Sequence, residues 1–207
     1  MKSLYAAAGA ALVACSVAAC GQTQSACGEI LNVPLQSRAD LMVHSMPAGL
    51  EIVGTDREIL HVSCSADDED HARDVRIRFS GGTSSRTLTI DGPMMRHGNL
   101  KIRVEVPRKT NLRVQMGAGQ VDVDDVTGDK AVGLYAGQIT IASSRDWDYR
   151  RIDASVDIGE VNAAAYHVDK GGFFRSFRQK TDQGEYRLFA HVTTGEIDLV
   201  GRSGTAE

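Results

Sequence analysis

The chain has 207 residues, with 23 Lys and Arg against 27 Asp and Glu, a formal charge of −4. That balance argues against nucleic acid as a partner, because phosphate binding needs a basic face. Four prolines and ample Val and Ile are not a disordered composition, and short β-like runs separated by glycine replace any sustained helical periodicity.

The N-terminus has Lys2, an apolar run over Leu4–Ala14, and then Val17-Ala18-Ala19 just before Cys20. This is the layout of a secretory signal peptide. A Cys directly after a small residue resembles a bacterial lipoprotein signal, in which the thiol is acylated and becomes the new N-terminus. The resemblance implies a signal over residues 1–19 and a mature chain held to a membrane by lipid, in the cell envelope, on a periplasmic or surface-facing side. Cys15 also fits the pattern, but a longer apolar run precedes Cys20. Parity points the same way. With lipid on Cys20, Cys15 leaves with the signal, and Cys27 and Cys64 remain as a pair that an oxidising compartment favours as a disulfide. The alternatives are lipid on Cys15, which leaves an odd thiol, and simple cleavage after Ala19 without lipid. The apolar stretch is shorter than the ~20 residues of a spanning helix.

Residues 20–33 begin polar and read as a tether. Strand signals follow at Ala39–Ser45, Gly49–Gly54 and Glu58–Ser65, with Cys64 on the more apolar face of the last. Asp67–Asp74 opens with four acids after Ser65, a plausible N-cap, and is expected to form a short helix. Val75–Phe79, Thr87–Ile90 and Leu100–Val106 are the next strands, joined by turns at Gly81-Gly82 and Gly92-Pro93. In the last of them Leu100, Ile102, Val104 and Val106 alternate with Lys101, Arg103 and Glu105, the pattern of a strand with one buried face. Residues 34–110 thus form an N-terminal β region.

From residue 111 to 207 the pattern changes to repeats, read as continuous with the preceding region. Glycine, then Gln or Glu, then apolar, polar, apolar recurs at Gly119, Gly137, Gly159, Gly184 and Gly195. Gly128 lies midway between Gly119 and Gly137, so each eighteen-residue unit is expected to hold two strands. Glycine supplies the backbone freedom of a corner, and stacked copies bury an apolar strip that no single copy can cover. The expected fold is all-β: glycine-punctuated strand repeats stacked as a β-solenoid or roll, with the one short helix near 67–74.

The segments GLEIVGTDREILHVSCSA and KIRVEVPRKTNLRVQMGAGQVDV, the acidic helix and the later Gly-Glu-Ile/Val strands together resemble a family of bacterial exported β-strand-repeat proteins known as putative adhesins, a domain of unknown function. The resemblance spans about Gly49 to Gly201. It implies a stacked β fold and a role in surface attachment, and it brings no catalytic residues. The tidiest members carry Gly-Asn-Gly at each repeat; here Gly117-Ala118-Gly119 and Tyr135-Ala136-Gly137 stand in its place.

Candidate chemistry is sparse. His44, His61, His71, His97, His167 and His191 are scattered, without the short spacing zinc needs. Asp122, Asp124 and Asp125, and the run Asp67–Asp70, offer oxygens for calcium, but neither fits a calcium loop and solvated acids are the better reading. No nucleophile motif occurs, Gly81–Ser85 being a turn-rich loop. Asp157 with Glu160 is the acid pair to watch for glycosidase-like chemistry. Trp147 could stack on a sugar, though packing is the better reading. The segment Gly171–Lys180 concentrates Phe173, Phe174 and Phe177 with Arg175 and Arg178. On a helical turn the three rings would share a face, either touching a membrane or partner or closing the end of the stack. The expected function is a non-enzymatic, lipid-anchored envelope protein without cofactor, presenting a surface to a protein or glycan. The alternatives are a polysaccharide-active enzyme using acids on a β-face, or a structural or sensory envelope component.

Overall fold

A computed structural model describes residues 23–27, 29–66, 72–92, 100–143 and 149–201. The first strands are β1 (Thr23–Ala26), β2 (Leu31–Pro34), β3 (Asp40–Ser45), β4 (Ala48–Thr55) and β5 (Ile59–Ser65). Then come β6 (Arg76–Gly81), β7 (Ser85–Asp91) and β8 (Lys101–Pro107). Five long strands complete the set: β9 (Asn111–Asp124), β10 (Lys130–Ser143), β11 (Tyr149–Ala163), β12 (Val168–Lys180) and β13 (Tyr186–Gly201). A 3₁₀ turn, Ala164–Tyr166, precedes β12. The protein is nearly all β. The helix expected over 67–74 is not seen among the described residues, since 67–71 lie outside them; the backbone N–H of Val75 closes a turn on the Ala72 carbonyl. Strand β1 and all but the last residue of β2 fall within the stretch read as tether.

Strand β9 explains the architecture. Its first half, Asn111–Met116, pairs in parallel with β3, and its second half, Gly119–Asp124, with β4. β7 and β8 repeat that arrangement on the far side of β3 and β4. On the other side β10 runs parallel to the whole of β9, β13 to β10, and β11 to β13. Antiparallel strands finish both ends: β6 then β1 beyond β7, β5 then β2 beyond β8, and β12 on β11.

Parallel neighbours normally need a long crossover, yet only residues 125–129 join β9 to β10. A straight strand of 14 residues would span ~46 Å. The link reaches about 20 Å at most. The strand must therefore fold across its middle so that its two ends meet. Hydrogen bonds at that seam confirm the closure: Thr127 N–H donates to the Arg108 carbonyl at 2.7 Å and Arg108 N–H to the Thr55 carbonyl at 2.8 Å. The Arg108 guanidinium spans Asp56 (3.1 Å) and Asp125 (2.7 Å) across the same seam.

The folds fall at glycine. Gly119, Gly137, Gly195 and Gly159 lie side by side on successive strands, with φ of 125°, 130°, 144° and 138°. A Cβ on Gly137 would fall onto the Gly119 carbonyl oxygen, and the same clash repeats at Gly195 and Gly159. Only glycine serves at such a corner. Gly184 is not part of this ladder; it precedes β13, whose two arms account for both the Gly184 and the Gly195 copies. The eighteen-residue unit likewise holds one folded strand, with Gly128 in the return turn.

The apolar residues of the two arms form one core. Leu41, Val43, Leu112, Val114, Val132 and Val192 from the first arms pack with Ile52, Val104, Val121, Ile139, Val161 and Ile197 from the second. The stack does not grow in chain order: β13, last in sequence, inserts between β10 and β11, and β7 lies outside β3. Among the described residues, what forms is a single hydrogen-bonded sheet of thirteen strands. A regularly winding coil would add its layers in sequence, and this chain does not. Cys27 and Cys64 are joined by a disulfide, with Cα atoms 5.1 Å apart, which ties the segment after β1 to β5.

Candidate interaction surfaces

The segment Gly171–Lys180 is part of strand β12, not a helical turn, so its rings do not share a face. Phe177 lies opposite Ala154 and is 7% exposed, its ring 5.1 Å from that of Tyr166. It closes the end of the core. Phe173 is 68% and Phe174 81% exposed. The register with β11 is the same on both sides of the corner, and Phe174 lies across from Asp157 between the Val156–Arg175 and Ile158–Phe173 pairs, with φ of 51°. A left-handed backbone costs a non-glycine residue roughly 1–2 kcal/mol, and here no burial of the ring offsets it. Arg175 donates to the Gly171 carbonyl at 2.8 Å. Arg178 pairs with Asp153 at 3.2 Å, a carboxylate that Arg151 also holds.

The broad outer face of the first arms carries a second feature. Outward positions on β10 are Ala131, Gly133 and Tyr135, so the floor between neighbouring strands is nearly bare. A Cβ at Gly133 would have open space above the strand, with the Val114 carbonyl 3.9 Å away. Arg113 and Gln115 of β9 rise on one side, Phe189 and His191 of β13 on the other. Tyr135, 69% exposed, stands at one end, and Phe189 is 50% exposed. Two adjoining open depressions result, one lined by Asn111, Arg113, Arg187 and Phe189, the other by His44, Gln115, Tyr135 and His191. Tyr135 and Phe189 are far apart in sequence, and only the strand register brings them to one face of the sheet.

On the second arms, Gln120, Gln138, Glu196 and Glu160 form one in-register row, and Asp122, Thr140, Asp198 and Asn162 the next. The amide of Gln138 donates to Asp198 at 2.7 Å, and that of Gln120 to Asp122 at 3.0 Å. Partial burial, then the neighbouring Asp198 and Glu160, push the Glu196 carboxyl above its ordinary value. The expected acid pair is thus redistributed: Asp157 approaches His191 at 3.8 Å on the first arm, while Glu160 lies beside Glu196 past the corner.

His191 also meets Ser155, with 3.1 Å between Nδ1 and the hydroxyl. The three side chains do not make a nucleophilic triad. Asp157 faces the opposite ring nitrogen at a distance too long for a hydrogen bond, and no strand-to-helix elbow lifts the serine. Of the calcium candidates, Asp125 pairs with Arg108 and Asp122 accepts from Gln120. Among the described residues no three His, Cys, Asp or Glu side chains are placed to hold a metal ion. Cys15, Cys20, Asp67–Asp70, His71, His97 and Trp147 lie outside the described residues.

No family model matches the chain, and no curated protein matches it. A solved structure described as a putative cell adhesion protein from Clostridium sporogenes is similar in fold, with a TM-score of 0.57 over 84% of this chain and 99% of that one. Identity is 11%, so the likeness is one of architecture.

Proposed function

We propose that this chain is a non-enzymatic, lipid-anchored protein of the cell envelope that presents its β stack to a protein or glycan partner, in the manner of an adhesin. The observation that carries the reading is the trough made by the two depressions, Phe189 edging the one floored by Ala131 and Tyr135 the one floored by Gly133. Exposed rings above a small-residue floor offer stacking area, and Asn111, Arg113, Gln115 and His191 around it offer hydrogen bonds. Attachment by shape and stacking needs no deep pocket, and the face is shallow and open.

The anchor belongs to the same reading. An acylated Cys20 would hold the chain just before β1, at one end of a line of nine strands that finishes at β12. Eight interstrand steps amount to roughly 38 Å, so the lipid would hold one end and leave the other projecting. The coil-like folding of β9 and β10 fits a solenoid-type display scaffold. The disulfide suits an oxidising compartment. Binding of the mature chain to a glycan array and to intact cells tests the proposal. Y135A/F189A is expected to abolish binding while leaving the melting temperature near that of the parent. Binding that survives this pair would overturn the assignment of the face.

A second reading, a polysaccharide-active enzyme, draws on Glu196, whose carboxyl is raised beside the in-register Glu160. Release of reducing ends or unsaturated products from envelope polysaccharide, lost in E196Q and E160Q, would establish it in place of the first.

A further inference from the structure

We infer that the free edge of β12 docks an extended, acidic polypeptide segment of another protein by adding it as a further strand. Among the described residues β12 pairs as a strand only with β11, so its other side carries no further strand and is an edge of the sheet. From Arg175 to Lys180 the strand keeps regular register with β11, a run of six residues, ~20 Å at 3.3 Å each.

The charges choose the occupant. Residues 171–180 contain Arg175, Arg178 and Lys180 and no acid. A second copy of the same edge would set like charges opposite one another, which destabilises a strand pair. An acidic strand meets the opposite sign. Lys180, Arg178 and Ser176 face one side of the sheet, in register with Arg151, Asp153 and Ser155, while Gln179, Phe177 and Arg175 face the core side. Asp153 is shared between Arg151 and Arg178, so cations outnumber the acid there. A segment alternating acidic and apolar residues would place its acids opposite Arg178 and Lys180. Its apolar side chains would extend the layer that Phe177 ends.

Phe173 and Phe174 supply the anchor. They stand exposed at the end of this run, and Phe174 is held at a positive φ at the corner of the strand. An exposed ring in a strained backbone is a feature of binding sites. The edge thus combines devices that reject a second copy with apolar area that a suitable partner would cover. The inference rests on the partner-binding reading above but uses a different surface, so the two can fail separately.

The test uses the mature chain and a fluorescein-labelled peptide, Glu-Val repeated four times, with the Lys-Val repeat as its counterpart. Fluorescence anisotropy should show saturable binding of the acidic peptide alone, weakened at least tenfold by R178E/K180E and by raising salt from 50 to 500 mM on the unmutated protein. Hydrogen exchange should slow within residues 173–180 and not along the trough. Absence of binding, equal binding of both peptides, or insensitivity to salt would overturn the inference. So would protection placed elsewhere. Concentration-dependent dimerisation lost in R178E/K180E would assign the edge to a second copy instead. Binding to phosphatidylglycerol vesicles that F173S/F174S removes, without peptide binding, would assign it to a lipid surface.

Discussion

Gly195 and Gly137 face each other in register on parallel neighbours, and a Cβ on Gly195 would fall onto the carbonyl oxygen of Gly137. The corner that folds every long strand is therefore set by the absence of a side chain. Gly195→Ala combines a disfavoured backbone with a steric clash and should destabilise by about 3 kcal/mol or more. Gly117→Ala is its control: no atom lies within 4 Å of that Cβ and φ is not positive. It should change stability by under about 0.5 kcal/mol. Urea denaturation of the two variants checks the contrast, and equal effects would contradict it.

The two phenylalanines of β12 should behave oppositely. Phe177 ends the core, and Phe177→Ala should cost about 3 kcal/mol. Phe174→Gly removes an exposed ring and gives the φ of 51° to the residue that tolerates it, so it should be neutral or stabilising by up to about 1 kcal/mol. Thermal and urea melts of both variants measure this directly.

The Cys27–Cys64 bond spans 37 residues of sequence. Loop-closure entropy for that span amounts to about 3–4 kcal/mol. Reduction, or the double Cys→Ser variant, should lower unfolding stability by that order while the β-sheet circular dichroism survives. A bond without effect on the urea midpoint would mean the segment after β1 is independent of the rest.

Glu196 gives a pH dependence of defined sign. Its folded-state pKa lies above the ordinary 4.5, so the folded chain holds the proton more tightly than the unfolded one. Stability is therefore highest below the unfolded value and falls as pH rises from 4.5 through the raised folded value. E196Q should match the parent near pH 4 and exceed it at pH 7. Urea midpoints across that range would show the difference, and identical profiles would contradict it.

Ser155, His191 and Asp157 should not hydrolyse activated esters above the rate of free imidazole, and S155A should leave any residual rate unchanged. Assay with p-nitrophenyl acetate settles this, and a serine-dependent burst would contradict the reading.

Strand positions were the most legible part of the chain. Leu100–Val106 reads as a strand from its alternation and becomes β8, and Gly119, Gly137, Gly159 and Gly195 read as corners and are corners. The stacking order was not legible. Because β10, β11 and β13 carry the same glycine-led pattern, each fits beside any other. Local periodicity therefore does not reveal that β13 inserts between β10 and β11. β12 escaped for the opposite reason: the adjacent Phe173 and Phe174 break its alternation, and the crowded rings imitate a helical face. Lys130 was hidden as well. It occupies a core row between Leu112 and Leu188, its ammonium 4.7 Å from the centre of the Tyr149 ring, where the pattern calls for an apolar residue. The trough needs Tyr135 and Phe189 on adjacent strands, a relation carried by register alone.

The account turns on a chain held at its N-terminal end with its β stack projecting. Intact-mass spectrometry of the protein extracted from its native membrane tests that most directly. The account predicts a chain beginning at an acylated Cys20, with Cys27 and Cys64 unreactive to alkylation until reduced. An unlipidated chain with freely alkylated thiols would contradict it.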